Sequence, residues 1–185
     1  MNKVTTVWPL SVRLAHWLNA ALVIGALGLG AFMVLAVHSA ATRFELTQTH
    51  KSIGVGVLVL TILRLCLRSV MRAPKPEPAP RSVVIIAKAV HFGLYILLLL
   101  LPLSGWLMVT STPVRVPTFV FGLFELPYPL APDIARFRLA HGAHVVLAVT
   151  LAALGVFHVS AALVHAWVWR DRTLTRMWLR ADRVL

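Results

Sequence analysis

Apolar residues along the chain gather into four long runs, separated by stretches that are polar or rich in proline. The pattern predicts helices over about 11–37, 46–67, 82–110 and 139–169. Each is as long as the roughly 20 residues a helix needs to cross the hydrocarbon core of a bilayer. The fold expected is therefore all-α, an integral membrane bundle of four transmembrane helices formed by a single domain over 1–185. Pro9 suits a helix start, and Pro102 is expected to kink the third helix, because it removes a backbone donor. Short loops are expected at His38–Glu45 and at Ser69–Arg81, whose alternating prolines favour an extended conformation. The longest connection, Ser111–Arg138, holds Pro113, Pro117, Pro127, Pro129 and Pro132, with Phe119, Phe121, Phe124 and Tyr128 among them. It is too proline-rich for a fifth span. Its aromatics suggest that it lies on the bilayer surface, where a loop of such length has a job or packs as a lid. The tail from Arg170 is basic and reads as interfacial, with Trp178 as an anchor.

Composition agrees with the membrane assignment: 59% of the 185 residues are hydrophobic and only 13% are charged, against about a quarter charged in soluble domains. The net charge of +12 could suggest nucleic acid, but the basic residues sit at the ends of apolar runs, where they act as topology signals. Arg43, Lys51, Arg115, Arg136 and Arg138 fall on one side, and the other thirteen Lys and Arg on the other. The excess makes that second side cytoplasmic, giving an N-in, C-in protein. The first run is longer than the apolar segment of a signal peptide and is expected to be a retained span. Cys66 is the only cysteine, which excludes an internal disulfide, a cysteine-ligated iron–sulfur cluster and a Cys-x-x-Cys-His haem attachment.

Any cofactor then falls to histidine. His144 and His158 lie fourteen residues apart in the fourth run, which is about 21 Å of helical rise with both rings on nearly one face. Topology puts His50 near the outer end of the second helix, level with His144, and His16 near the cytoplasmic end of the first, level with His158. Paired histidines across a bundle, with Gly25, Gly28, Gly30, Gly54 and Gly56 leaving room nearby, suit a b-type haem at each level. Two axial imidazoles leave iron no open position, which favours electron transfer over oxygen binding. Other readings stay open on the residues alone. A histidine near an interface can be a simple polar anchor, and zinc or copper could sit at the same pairs, although zinc wants four ligands. His141, one turn before His144, is an alternative outer ligand. His91 and His165, with Lys88 and Arg170 near them, mark either interfacial polarity or a pocket for a quinone headgroup or haem propionates.

These residues resemble the bacterial cytochrome b561 family, of the superoxide oxidase type. The resemblance is carried by SVRLAHW with His16, THKSIGVGVLVLTILRLCLR with His50, the KPEPAP loop, KAVHFGLYILLLLLPLSGWLMV with His91, FVFGLFELPYP, and HGAHVVLAVTLAALGVFHVSAALVHAWVWRDRTLTRMW with His144, His158 and His165. It covers nearly the whole chain. It implies a multi-pass protein of the bacterial inner membrane, in contact with lipid, holding two non-covalent haem b groups. His16 and His158 would be the axial iron ligands on the cytoplasmic side, and His50 and His144 those on the periplasmic side. It implies electron exchange with ubiquinone, to which His91, His165, Lys88 and Trp169 are assigned, and superoxide as the electron donor. The five outer basic residues could steer that anion. An anchor subunit that passes electrons from a hydrogenase or dehydrogenase to quinone is the runner-up. It would need a docking surface, and the short loops leave little beyond Ser111–Arg138, so no obligatory protein partner is evident. A haem-free transporter or assembly factor is the reading from outside redox chemistry.

Overall fold

The computed structural model describes residues 7–179, so Lys3, Arg180 and Arg183, which contribute to the expected topology, lie outside the described residues. Four helices dominate: α1 (Leu10–Leu35), α2 (Ala40–Val70), α3 (Arg81–Ser111) and α4 (Ile134–Trp167). All four are long and apolar enough to cross a membrane. Pro9 and Pro80 immediately precede α1 and α3, where a fixed φ and a missing N–H cost nothing.

Two helices begin earlier than the apolar pattern predicts. The α2 helix starts at Ala40 rather than near Leu46, so most of the loop expected at His38–Glu45 is helical. Ser39 caps it, accepting the Thr42 N–H, and Thr47 Oγ1 bonds back to the Arg43 carbonyl at 2.7 Å. The α4 helix starts at Ile134 rather than Leu139, with the Asp133 carboxylate accepting the Arg136 N–H at 2.9 Å. In both cases a side-chain cap starts the helix in polar sequence, outside the apolar run. At its other end α4 stops at Trp167, two residues short of the expected end. Helix α3 continues through Pro102.

The packed helix pairs are α1 with α2 and α3 with α4, joined through α2 and α3. An apolar layer of Val57, Leu97, Leu98 and Leu151, flanked by Leu22, Ile53, Leu147 and Leu154, fills the middle of the bundle. Many other span side chains, such as Ile24, Ile85, Val149 and Val156, are exposed, as expected for surfaces that face lipid.

The long connection folds as a small antiparallel hairpin, β1 (Phe119–Val120) and β2 (Phe124–Glu125), with Phe119 opposite Glu125 and Val120 opposite Phe124. Its turn carries positive φ at Phe121 (49°) and Gly122 (73°). The hairpin is strapped to the N-terminal half of α2. The Phe121 N–H donates to Ser52 Oγ at 3.0 Å, Gln48 Nε2 to the Pro117 carbonyl at 2.9 Å, and Lys51 Nζ to Thr118 Oγ1 at 3.0 Å. At the other end of the bundle the tail folds back on α1. Trp17 Nε1 donates to the Met177 carbonyl at 2.7 Å, Arg13 Nη1 to the Trp178 carbonyl at 2.7 Å, and the Trp17 and Trp178 rings meet edge-on at 5.9 Å. Arg13, only 1% exposed, is buried beneath this closure, and Arg176 pairs with Glu77 of the α2–α3 loop at 2.5 Å.

Candidate functional site

The four spans bring histidines together in two tiers, one on each side of the apolar layer. In one tier His16 of α1 faces His158 of α4, with ring centroids 6.4 Å apart and planes at 86°. In the other, His50 of α2 faces His144 of α4, at 6.2 Å and 76°. These are the pairs expected from helical rise. His141 lies apart from the second tier, stacked on Phe137 at 6.2 Å.

The tier of His50 and His144, named outer after the expected topology as that of His16 and His158 is named inner, is held by close packing. Glycines stand behind both rings: a Cβ at Gly30 would lie 3.3 Å from His50 Cε1, and one at Gly105 would lie 3.1 Å from His144 Cε1. His144 Nδ1 lies 3.2 Å from the Leu101 carbonyl and 3.0 Å from Ser104 Oγ, whose own proton goes to the same carbonyl at 2.7 Å. A carbonyl can only accept, so Nδ1 carries the proton and Nε2 keeps a free lone pair for a metal. Gly25, Gly28 and Gly54, by contrast, have nothing near where a Cβ would go.

The inner tier is held by charge and ring contacts. His91 of α3 meets His158 edge-on at 5.2 Å, making a third imidazole there. Arg64 of α2 comes within electrostatic reach of His16, His91 and His158. Its guanidinium covers the Tyr95 ring at 5.4 Å, and its buried Nε has no hydrogen-bond partner among the described residues. The pattern of apolar runs marks Arg64 only as the end of a span; its inward turn is a tertiary feature.

The four residues assigned to quinone fall into two groups. His165 and Trp169 touch at 4.5 Å, edge-on, near the end of α4. His91 lies against His158 instead, and Lys88 is exposed one turn before it on α3. A residue without any sequence signal joins the first group: Asp171 Oδ2 lies 2.5 Å from His165 Nδ1. Partial burial pushes the Asp171 carboxyl up, but hydrogen bonds from His165 and from the Thr173 amide and hydroxyl bring it below the ordinary carboxylate value.

Residues 7–180 match the family model for prokaryotic cytochrome b561. The chain belongs to that family. It is 34% identical over 163 residues to cytochrome b561 homolog 2 of Escherichia coli, a match covering 88% of this chain and 86% of the relative. It is 32% identical to a probable superoxide oxidase, CybB, of Yersinia pestis, over 69% of this chain and 72% of that one. A second Escherichia coli relative, cytochrome b561 homolog 1, is 28% identical over 74% of this chain and 76% of its own. A prokaryotic cytochrome b561 with four spans is a multi-pass bacterial membrane protein of oxidoreductase-type electron transfer, with haem b as its cofactor.

The histidine tiers of this cytochrome b561 fit that cofactor. Two imidazoles sharing one metal at about 2.0–2.1 Å each, with about 1.1 Å from nitrogen to ring centre, would have their centres about 6.2–6.4 Å apart. Both observed separations, 6.4 and 6.2 Å, match. Among the described residues no group of three or more His, Cys, Asp or Glu side chains could hold a metal ion by itself. Two imidazoles suffice only where a porphyrin supplies the other ligands. Arg64, with its unpaired buried Nε, suits a propionate at the inner tier.

Proposed function

We propose that this protein is a di-haem b superoxide:ubiquinone oxidoreductase of the bacterial inner membrane, with both termini in the cytoplasm. The observation that carries the reading is the pair of cross-helix histidine couples, each at the separation of two axial ligands. His16 and His158 hold the cytoplasmic-side haem, and His50 and His144 the periplasmic-side haem. Bound haem supplies reversible one-electron transfer. With two histidines of the chain holding each haem iron, neither superoxide nor quinone would need to reach the metal.

The remaining residues bind and orient the substrates. Arg43, Lys51, Arg115, Arg136 and Arg138 lie at the periplasmic end and raise the local concentration of an anion such as superoxide. Lys51 and Arg115 are set by the hairpin connection: Lys51 by its bond to Thr118, and Arg115 by the Tyr128 ring at 5.8 Å and the Leu130 carbonyl at 2.9 Å. Two superoxide anions each lose one electron and leave as oxygen, and one quinone gains two electrons and two protons. At the cytoplasmic end His165 and Trp169 form the quinone contact, with His91 and Lys88 of α3 toward the inner haem. The relative described as a probable superoxide oxidase supports superoxide as the donor. The chain acts without a protein partner, in contact with membrane lipid.

The test is a haem count with stopped-flow absorption on the purified protein. Two haems per chain, reduced rapidly by superoxide and reoxidised by ubiquinone, are expected. Haems that reduce only through a dehydrogenase or hydrogenase partner would transfer the protein to the anchor-subunit class. Absence of a Soret band that shifts on reduction would end the haem reading.

A further inference from the structure

The end of α4 is folded back with more order than a helix terminus needs. The Val168 and Trp169 amides both donate to the Val164 carbonyl, at 2.9 and 3.1 Å. Arg170 then takes a positive φ of 54°, a conformation that non-glycine residues adopt rarely. The chain reverses, and the Asp171 amide donates to the His165 carbonyl at 3.1 Å. The turn returns the Asp171 carboxylate to the ring of the residue six positions before it.

Both carboxylate oxygens are then fixed. Oδ1 accepts the Thr173 amide at 2.8 Å, and Oδ2 lies 2.5 Å from His165 Nδ1. Thr173 Oγ1 sits 3.3 Å from the same nitrogen. The Trp169 ring walls the imidazole edge-on at 4.5 Å. An ionised carboxylate only accepts, so Nδ1 bears the proton in the neutral ring and Nε2 is left as the working nitrogen. When Nε2 is protonated as well, the carboxylate stabilises the resulting imidazolium, so the ring can take up a proton and release it from one fixed atom.

The geometry points to Asp171 as the positioning residue that fixes His165 to deliver a proton, from Nε2, to a quinone oxygen at the cytoplasmic end of α4. This rests on the quinone reading above. Reduction of one quinone takes two electrons, released by two superoxide anions, and two protons. His165 Nε2–H gives these one at a time, each delivery breaking that N–H bond and forming an O–H bond on the quinone. Water on the cytoplasmic side restores the proton to Nε2. Asp171 stays ionised throughout and touches no substrate.

The test separates quinone reduction from electron entry. Holoprotein with its haems reduced chemically by dithionite is mixed with a short-chain ubiquinone, and haem reoxidation is followed. Asp171→Asn should retain both haems and slow reoxidation at saturating quinone by about 10-fold or more, with KM little changed. Asp171→Glu should recover most of the rate. The double variant Asp171→Asn/His165→Gln should be no slower than His165→Gln alone, since the carboxylate acts through the ring. In parallel, ¹⁵N-histidine NMR should show His165 as the Nδ1–H tautomer in the parent protein and a mixture in Asp171→Asn. Reoxidation of Asp171→Asn at the parent rate, a raised KM with unchanged kcat, or an unaltered tautomer would overturn the proposal. If quinone fails to reoxidise the parent protein, the quinone reading falls first and proton delivery falls with it, while the tautomer signal still reports whether Asp171 fixes the ring.

Discussion

The two tiers each pair two histidines at nearly the same separation, yet they are built in different ways. The outer tier is fixed by shape. Glycines at 30 and 105 let backbone press against the rings, and a backbone carbonyl holds His144 Nδ1. The inner tier is surrounded by charge and aromatic rings: His91 against His158, Arg64 over Tyr95, and a tail folded over Trp17. A tier fixed by shape should respond sharply to added volume and little to charge. A tier set by charge should do the reverse, and it is also the tier that lies toward the expected proton source.

The largest effects should come from the ligands. His50→Ala and His144→Ala should each remove one and the same haem, and His16→Ala and His158→Ala the other, with haem per chain falling from about two to about one. Losses that cross between the tiers, seen in low-temperature spectra, would break the pairing. Next in size, Gly105→Ala puts a Cβ 3.1 Å from His144 Cε1, and overpacking of this kind costs about 1–3 kcal/mol. It should displace the ring and lower outer-haem occupancy while leaving the inner spectrum intact. Gly142→Ala, at an exposed position with open space around it, should change neither tier. An equal response from both glycines would refute the idea of a shape-fixed outer site.

A smaller effect is expected from Arg64→Gln. A positive charge favours the reduced, less positive haem, so its removal should lower the inner midpoint potential. A loss of about 0.7–1.4 kcal/mol of interaction corresponds to roughly 30–60 mV for one electron. Redox titration should show this shift in one haem only, and an equal shift in both would show that Arg64 does not distinguish the tiers. The smallest effect concerns the outer start of α4. The backbone N–H of Arg136 holds the Asp133 carboxyl below its ordinary value. Its contribution to the helix is therefore complete above the unfolded carboxyl pKa, and is lost as pH falls through the depressed folded value. The protection of the Arg136 amide against exchange, relative to its intrinsic rate at each pH, should fall only in strong acid, and in Asp133→Ala it should be low at every pH.

Several features were legible in the sequence because they are local. Four apolar runs specify four spans, and a fixed rise per residue turns the fourteen-residue interval between His144 and His158 into two depths. The helix starts at Ala40 and Ile134 were missed because Ser39 and Asp133 cap polar segments, and an apolar pattern stops at the hydrocarbon edge. The hairpin over α2 was hidden as well. Its strands have two residues each, and its position depends on bonds from Ser52, Gln48 and Lys51, a distant stretch of chain.

The sequence by itself determined the number of helices, their length and apolar character, and the spacing of His144 and His158 along α4, since hydrophobic patterning and helical rise act within one segment. Tertiary structure decided which rings meet. It chose His144 over His141 to face His50, pressed Gly30 and Gly105 against the outer imidazoles, turned Arg64 toward the inner ones, and brought Asp171 back to His165. Those choices depend on how each helix is rotated about its axis and on a turn at Arg170. Both are set by packing between segments far apart in the chain, which no local pattern records.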